Sequence, residues 1–253
     1  MLLPLPAWLR NGAFRVDRAQ TFVPSQVDAT LVAPVQDCPG VWAAGLNYKR
    51  HAAEVGIEPP KLPLLFIKAL NTLNAPYGDV VTPKVCEDEM DFEGEVAVVI
   101  GKTCKNVSEA DAMQHVLGIA AANDISARKW QGKKGGGQWA RSKSFDTFLP
   151  LGPGLVAPGS LPGGGLNLRI STVLQRGGAT TVLQDSRSSD MIFSIPQLLA
   201  FISQDTTLPP FSVIITGTPE GVGFSRKPPL YLRPADVVTV ELEGVGALVN
   251  RVV

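Results

Sequence analysis

The pattern of apolar and polar positions divides this chain into many short elements, and one stretch stands out among them. From Asp91 the residues read Asp91-Phe92-Glu93-Gly94-Glu95, with an acid at every second position, and then Val96-Ala97-Val98-Val99-Ile100 without a polar break. Successive side chains of a β-strand point to opposite faces, so a strand here puts the three acids on one face, with neighbours roughly 6.8 Å apart. Alternating acids alone would describe the solvated face of a half-buried strand. The apolar run that follows describes instead a strand covered on both faces. Carboxylates at the mouth of such a strand need solvent or a cation, and the pattern favours a cation held by Glu93 and Glu95. Asp91 is left as a supporting or surface acid.

The same pattern supplies the other elements. Phe14–Val16 and residues 30–32 suggest two short strands in a leader that ends near residue 40. Residues 41–46 suggest a buried strand and Leu64–Lys68 another. Residues 119–124 form a strand of small residues ending in an acid. A helix is predicted from about Tyr48, stopped by Gly56 and Pro59-Pro60. A second, amphipathic helix is predicted over residues 109–118 with Ser108 as its N-cap, and a third over 194–203 with Pro196 in its first turn. Further strands are predicted at 166–172, 180–183, 213–216, 237–242 and 247–253. No repeat or linker divides residues 41–253, which are treated as one domain after a 1–40 leader.

Composition narrows the class. With 21 prolines and 25 glycines in 253 residues, short elements joined by turns are expected rather than a helical bundle. The formal net charge of zero gives no electrostatic case for nucleic acid or an anionic membrane. No apolar run approaches the ~20 residues that span a bilayer. Cys38, Cys86 and Cys104 are odd in number and lack C-x-x-C spacing, which suggests neither a disulfide framework nor a zinc site. A cytoplasmic location follows. Arg10, Arg15 and Arg18 in an acid-poor start leave a mitochondrial presequence as the alternative, although no long amphipathic or Ser-rich stretch accompanies them.

Several residues then become candidates for chemistry. His51 and Glu54 fall at i, i+3 of the first helix. They are either a surface imidazole with an incidental carboxylate or a dyad in which the acid fixes the tautomer and raises the basicity. The other histidine, His115, reads as a helix-face residue. Lys68 is either a strand-end solvent anchor or a cation for an anionic ligand. Asp124 is either the N-cap of a helix over 126–131 or the third oxygen ligand that Glu93 and Glu95 lack. Arg128 and Gln131 would project together from that helix. Lys133-Lys134-Gly135-Gly136-Gly137 has no phosphate-loop spacing and reads as a flexible loop. Lys143 lies between aromatics. The three glycines of residues 216–223 make a structured turn.

In this order the pieces resemble the fumarylacetoacetate hydrolase family, and more closely its short members with only the catalytic domain. The motifs are Gly45-Leu46-Asn47-Tyr48 with His51 and Glu54, Phe66-Ile67-Lys68, Asp91-Phe92-Glu93-Gly94-Glu95, and Asn123-Asp124-Ile125-Ser126-Ala127-Arg128. Lys143-Ser144-Phe145-Asp146 and Thr216-Gly217-Thr218-Pro219-Glu220-Gly221-Val222-Gly223 complete the series, which covers about residues 41–253. The resemblance implies a β-rich α+β fold, a mixed β-sandwich or roll with a few short helices, usually homodimeric. It implies Mg2+ or Mn2+ on Glu93, Glu95 and Asp124. His51 and Glu54 would be the acid–base pair, on a short helix that orders over the ligand in relatives, and Lys143 the catalytic cation. Arg128, Gln131, Thr218 and Lys68 would hold the substrate's carboxylate and oxo groups. Gly94 stands where many relatives carry a larger residue, and the 132–138 loop is unusually glycine-rich.

Three carboxylates suit a hard cation and leave room for a bidentate ligand. A short 2-oxo or 1,3-dioxo acid chelating such an ion would form a metal-stabilised enolate. Carbon–carbon cleavage is the first expectation, either hydrolysis of acylpyruvate or fumarylacetoacetate type or oxaloacetate decarboxylation. Oxaloacetate keto–enol tautomerisation or sugar-acid dehydration or isomerisation is the alternative on the same site. A non-catalytic metal or 2-oxo acid binding protein is the alternative of another class.

Overall fold

The computed structural model describes Phe14–Val16, Gln20–Phe22 and residues 33–253. The chain divides into two units, Met1–Leu31 and Val32–Val253. In the first, β1 (Phe14–Val16) and β2 (Gln20–Phe22) pair antiparallel. The strand expected at 30–32 lies outside the described residues.

The second unit is β-rich. Its strands are β3 (Val41–Gly45), β4 (Leu64–Lys68), β5 (Leu73–Asn74), β6 (Met90–Asp91), β7 (Gly94–Ile100), β8 (Val116–Asn123), β9 (Ser126–Ala127) and β10 (Leu149–Val156). They continue with β11 (Arg169–Arg176), β12 (Ala179–Arg187), β13 (Val213–Ile215), β14 (Val237–Leu242) and β15 (Gly246–Arg251). Between them lie α1 (Lys49–Glu54), α2 (Arg128–Gln131), α3 (Trp139–Lys143) and α4 (Ile195–Ile202). A seven-stranded mixed sheet runs β4-β3-β13-β7-β8-β10-β5, and a four-stranded antiparallel sheet runs β12-β11-β14-β15. This is the expected fold class.

Strand β7 shows why the apolar run has no polar alternate. Every one of its residues is buried. Val96, Val98 and Ile100 meet Ile170, Val240 and Leu248 of the four-stranded sheet, together with Leu198 and Leu199 of α4. Ala97 and Val99 point to the opposite face, into a second core with Ala43, Ala120, Ala122 and Ile215. Helix α4 starts where expected. Ser194 and Gln197 form a capping box, and Pro196 sits in the first turn.

Two expectations are corrected, and two further segments carry structure that the pattern does not specify. The strand drawn through Asp91 and Glu93 is broken, because β6 pairs with β9 whereas β7 pairs with β8, leaving Phe92 and Glu93 between two ladders. Residues 109–118 are not one helix. A 3-10 turn, Ala112–His115, leads straight into β8, whose pairing with β7 outweighs the local helical pattern. Residues 132–138 are a built loop. Lys133–Gly135 form a 3-10 turn, Gly136 follows at φ 82°, and a Cβ on Gly135 would fall 2.2 Å from the Lys129 carbonyl oxygen. Finally β10 and α3 were not anticipated. Gly152, Pro153 and Gly154 hide β10, and the proline is accommodated where the β8 register shifts.

Candidate active site

The break between β6 and β7 builds the acidic cluster. The Glu93 amide donates to Asn123 Oδ1 at 3.0 Å, and the Asp124 amide donates to the Glu93 carbonyl at 2.8 Å. Glu93 is thereby pinned to the end of β8, and one carboxylate oxygen each from Glu93, Glu95 and Asp124 lies within 4.8 Å of the others. All three are buried. Asp124 does not cap α2, whose N-cap is Ala127. The cluster of three comes from the antiparallel return of β8, which sets Asp124 opposite Glu93, not from one flat strand face.

Cations surround two of the three acids. Lys143 Nζ donates to Glu93 Oε2 at 2.6 Å and to Asp124 Oδ2 at 2.5 Å. Lys68 Nζ donates to Asp124 Oδ1 at 2.6 Å and to the Phe148 carbonyl at 3.0 Å. Lys68 is therefore no solvent anchor. It is buried behind Asp124 and does not line the cavity. Arg128 donates to Glu93 Oε1 at 2.6 Å, to Asp91 Oδ2 at 2.8 Å and to Gln131 Oε1 at 2.5 Å, and its guanidinium lies 4.3 Å from the Phe224 ring centroid. Asp91 is fully buried and also accepts the Gly223 and Phe224 amides, so it orients Arg128.

Glu95 is different. Its Oε2 accepts the Gly217 amide at 2.6 Å, and it has no cationic partner among the described residues. Burial, and then the charges of Asp124 and Glu93, push its carboxyl well above the usual range. Burial also raises Glu93, but Lys143 and Arg128 outweigh it and hold that carboxyl well below. Four buried carboxylates (Asp91, Glu93, Glu95, Asp124) thus face three buried cations (Lys68, Arg128, Lys143), and the unbalanced charge sits on Glu95. A divalent cation among three carboxylate oxygens fits this deficit.

Helix α1 brings the imidazole. Successive turns place His51 Nδ1 3.2 Å from Glu54 Oε2, and Glu54 Oε1 accepts the Gly221 amide at 3.0 Å. Burial pushes the Glu54 carboxyl up, yet the hydrogen bonds from His51 and Gly221 outweigh it and hold it below its ordinary value. His51 is buried and faces a cavity of about 190 Å³ that it shares with Glu93, Glu95, Arg128, Gln131, Lys143 and Thr218. Thr218 Oγ1 donates to the Gly94 carbonyl at 3.0 Å and accepts Gln184 Nε2 at 2.8 Å. Leu46, Val55, Ile57, Phe66, Trp139 and Phe224 form the apolar wall. His115 is elsewhere, at the far end of β8, with Nδ1 3.0 Å from the Thr103 carbonyl.

The sequence pattern marks residues 216–223 as a structured turn, and the resemblance adds Thr218, but neither assigns a role to the turn's amides. Those amides are in fact the hydrogen-bond donors to Glu95, Glu54 and Asp91. Gly217 at φ 96° and Gly221 at φ 100° make that possible, and the glycine spacing was the available signal. Gly94 also has a local reason: a Cβ there would fall 2.3 Å from Thr172 Oγ1.

Residues 40–253 match the family model described as fumarylacetoacetate (FAA) hydrolase C-terminal. The mitochondrial oxaloacetate tautomerase FAHD2A of Homo sapiens is 41% identical over 241 residues, covering 95% of this chain and 75% of that protein. Among solved structures, 2-hydroxyhepta-2,4-diene-1,7-dioate isomerase from Mycobacterium marinum aligns with a TM-score of 0.77 at 35% identity, covering 93% of this chain and 81% of the other. Fumarylacetoacetate hydrolase from Exiguobacterium antarcticum aligns with a TM-score of 0.79 at 31% identity, covering 92% and 83%. By family model, sequence identity and fold alike, the chain belongs to the fumarylacetoacetate hydrolase family of enzymes.

Proposed function

We propose that this protein is a divalent-cation-dependent enzyme that moves a proton at the carbon beside the ketone of a short 2-oxo acid, with oxaloacetate keto–enol tautomerisation as its reaction. One observation carries the reading. His51, held by Glu54, faces the same small cavity as Glu93, Glu95 and Lys143.

Glu93, Glu95 and Asp124 would hold Mg2+ or Mn2+, for which an all-oxygen set is suited. The bound ion supplies Lewis acidity that draws electrons from the 2-oxo group and acidifies the neighbouring C–H. His51, oriented by Glu54, takes the proton from C3. Lys143 presents its ammonium to the ketone oxygen as negative charge gathers there. Return of the proton to oxygen gives the enol, and its return to C3 gives the ketone. Gln131, Thr218 and the tethered guanidinium of Arg128 orient the substrate's carboxylate, while Lys68 fixes Asp124 from behind.

Carbon–carbon cleavage, the first expectation from sequence, becomes the second reading. The human relative's name supports tautomerisation. The Exiguobacterium antarcticum neighbour's name supports hydrolysis, for which His51 and Glu54 would activate water. A non-catalytic binder is disfavoured by the convergence of His51, Glu54 and Lys143. The mitochondrial name of the relative supports the presequence alternative over a cytoplasmic location. A homodimer, as the family resemblance implies, belongs to the same proposal and is tested by light scattering.

The deciding experiment follows enol-to-ketone conversion of oxaloacetate by ultraviolet absorbance with Mg2+ and with Mn2+, beside CO2 release and cleavage of acylpyruvates and fumarylacetoacetate. Acceleration of the first above the other two is expected. Faster cleavage or CO2 release without faster interconversion would overturn the tautomerase reading.

A further inference from the structure

Helix α1 carries His51 but has little to hold it in place by itself. It has six residues, and Tyr48, its N-cap, makes no side-chain capping bond. So short a helix does not persist on local hydrogen bonds, and its orientation comes from tertiary contacts. At one end Asn47 Nδ2 donates to the carbonyls of Thr216 and Phe193. At the other, Glu54 accepts the Gly221 amide.

Between these ends stands Arg50, next to His51 and outside the cavity. Its backbone amide donates to Asp190 Oδ2 at 3.1 Å. Its guanidinium reaches three segments: Ser186 Oγ of β12 at 2.8 Å, Asp190 Oδ2 of the Ser188–Asp190 turn at 3.6 Å, and Glu220 Oε1 at 3.1 Å. Glu220 lies beside Gly221 and two residues from Thr218. Its Oε2 is buried without a hydrogen-bond partner among the described residues, which leaves Arg50 as the cation that balances it. Adjacent residues on a helix point about 100° apart, so a side chain fixed at position 50 sets the roll that aims position 51.

We infer that Arg50 is a positioning residue for His51, locking the roll of α1 through its fork to Ser186, Asp190 and Glu220. The catalytic part of this role rests on the assignment of His51 above. The planar guanidinium donates one hydrogen bond to Ser186 while it faces the carboxylates of Asp190 and Glu220, an arrangement that a lysine ammonium reproduces only in part.

The test uses Arg50→Ala, Arg50→Lys and Glu220→Gln, with and without His51→Ala, in the full chain with Mg2+. For oxaloacetate interconversion, Arg50→Ala should lower kcat about tenfold, as expected for a misaimed base, and change KM by less than about twofold. Arg50→Lys should recover only part of this loss. In the His51→Ala background, Arg50→Ala should cost nothing further, and Mg2+ binding by calorimetry should stay unchanged. Wild-type kcat in Arg50→Ala, or an equal loss in the His51→Ala background, would overturn the inference. A second readout is independent of turnover. The chain has two histidines, so imidazole nitrogen NMR reads His51 against His115 as an internal control. Arg50→Ala should shift and broaden the His51 signals alone. Unchanged His51 signals overturn the role of Arg50 even if the wild type proves inactive on oxaloacetate, a result that would by itself refute only the proposed function.

Discussion

Asp91 Oδ2 accepts Arg128 Nε at 2.8 Å, with both side chains buried. The pair ties the turn after residue 220 to the acidic cluster, because Asp91 also takes the Gly223 and Phe224 amides while Arg128 reaches Glu93. Removing the acid leaves the buried guanidinium with Glu93 as its one charged partner among the described residues. Asp91→Asn should therefore lower unfolding stability by on the order of 3 kcal/mol, the cost of breaking a buried pair. Urea unfolding measures it, and a loss below about 1 kcal/mol would show that Glu93 and Gln131 suffice to hold Arg128.

Glu95 supports two effects of opposite sign. In the absence of metal its charge is unbalanced, so Glu95→Gln should raise the melting temperature of the metal-free protein. Wild type should be stabilised by Mg2+ by about 2.7 kcal/mol at a hundredfold excess over Kd, and the gain should vanish on chelation. Glu95→Gln and Asp124→Asn should not respond. Thermal unfolding with and without chelator measures both, and a full Mg2+ response in Asp124→Asn would remove that residue from the ligand set.

Glu54 gives a pH dependence. Its folded carboxyl lies below the ordinary value of 4.5, so between the two values the unfolded chain binds more protons than the folded one. Its contribution is fully present above the ordinary value and is lost as pH falls through the folded one. The stability gap between wild type and Glu54→Gln should therefore shrink as the pH is taken down through the ordinary value of 4.5 and below it. With the side chain 24% exposed, the gap should stay under about 1 kcal/mol. A gap that widens on acidification would contradict the sign.

The cavity wall can be narrowed by one methyl group. A Cβ on Gly45 would meet the Trp139 ring at 2.6 Å, and Trp139 packs edge-on against Phe66 with centroids 5.6 Å apart. Gly45→Ala should push the indole into the cavity and raise KM by about tenfold with a smaller change in kcat. Adding Trp139→Leu should recover most of the loss. Unchanged steady-state kinetics in Gly45→Ala would show that Trp139 does not border the bound substrate.

The sequence by itself determined the covered strand β7, the start of α4 with Pro196 in its first turn, and the i, i+3 meeting of His51 with Glu54. Each depends on residues close along the chain, where periodicity and turn chemistry are direct physical constraints. It also singled out Glu93, Glu95, Asp124 and Lys143, since order along the chain is all that a motif needs. What only the tertiary structure decided is how those groups are balanced. Lys68 turned inward because β4 ends against Asp124 and the Phe148 carbonyl. The 109–118 helix gave way to β8 because pairing with β7 satisfies more backbone and buries more apolar surface than a lone amphipathic turn. Of the two readings of Asp91, supporting or surface acid, the structure selects the first, as the buried anchor of Arg128, and the turn at residues 216–223 supplies the amide donors of three acids. Those contacts join residues 37 to 167 positions apart in the chain. Local pattern carries no record of them, because the free energy that fixes a buried charge depends on which partners the fold delivers to it.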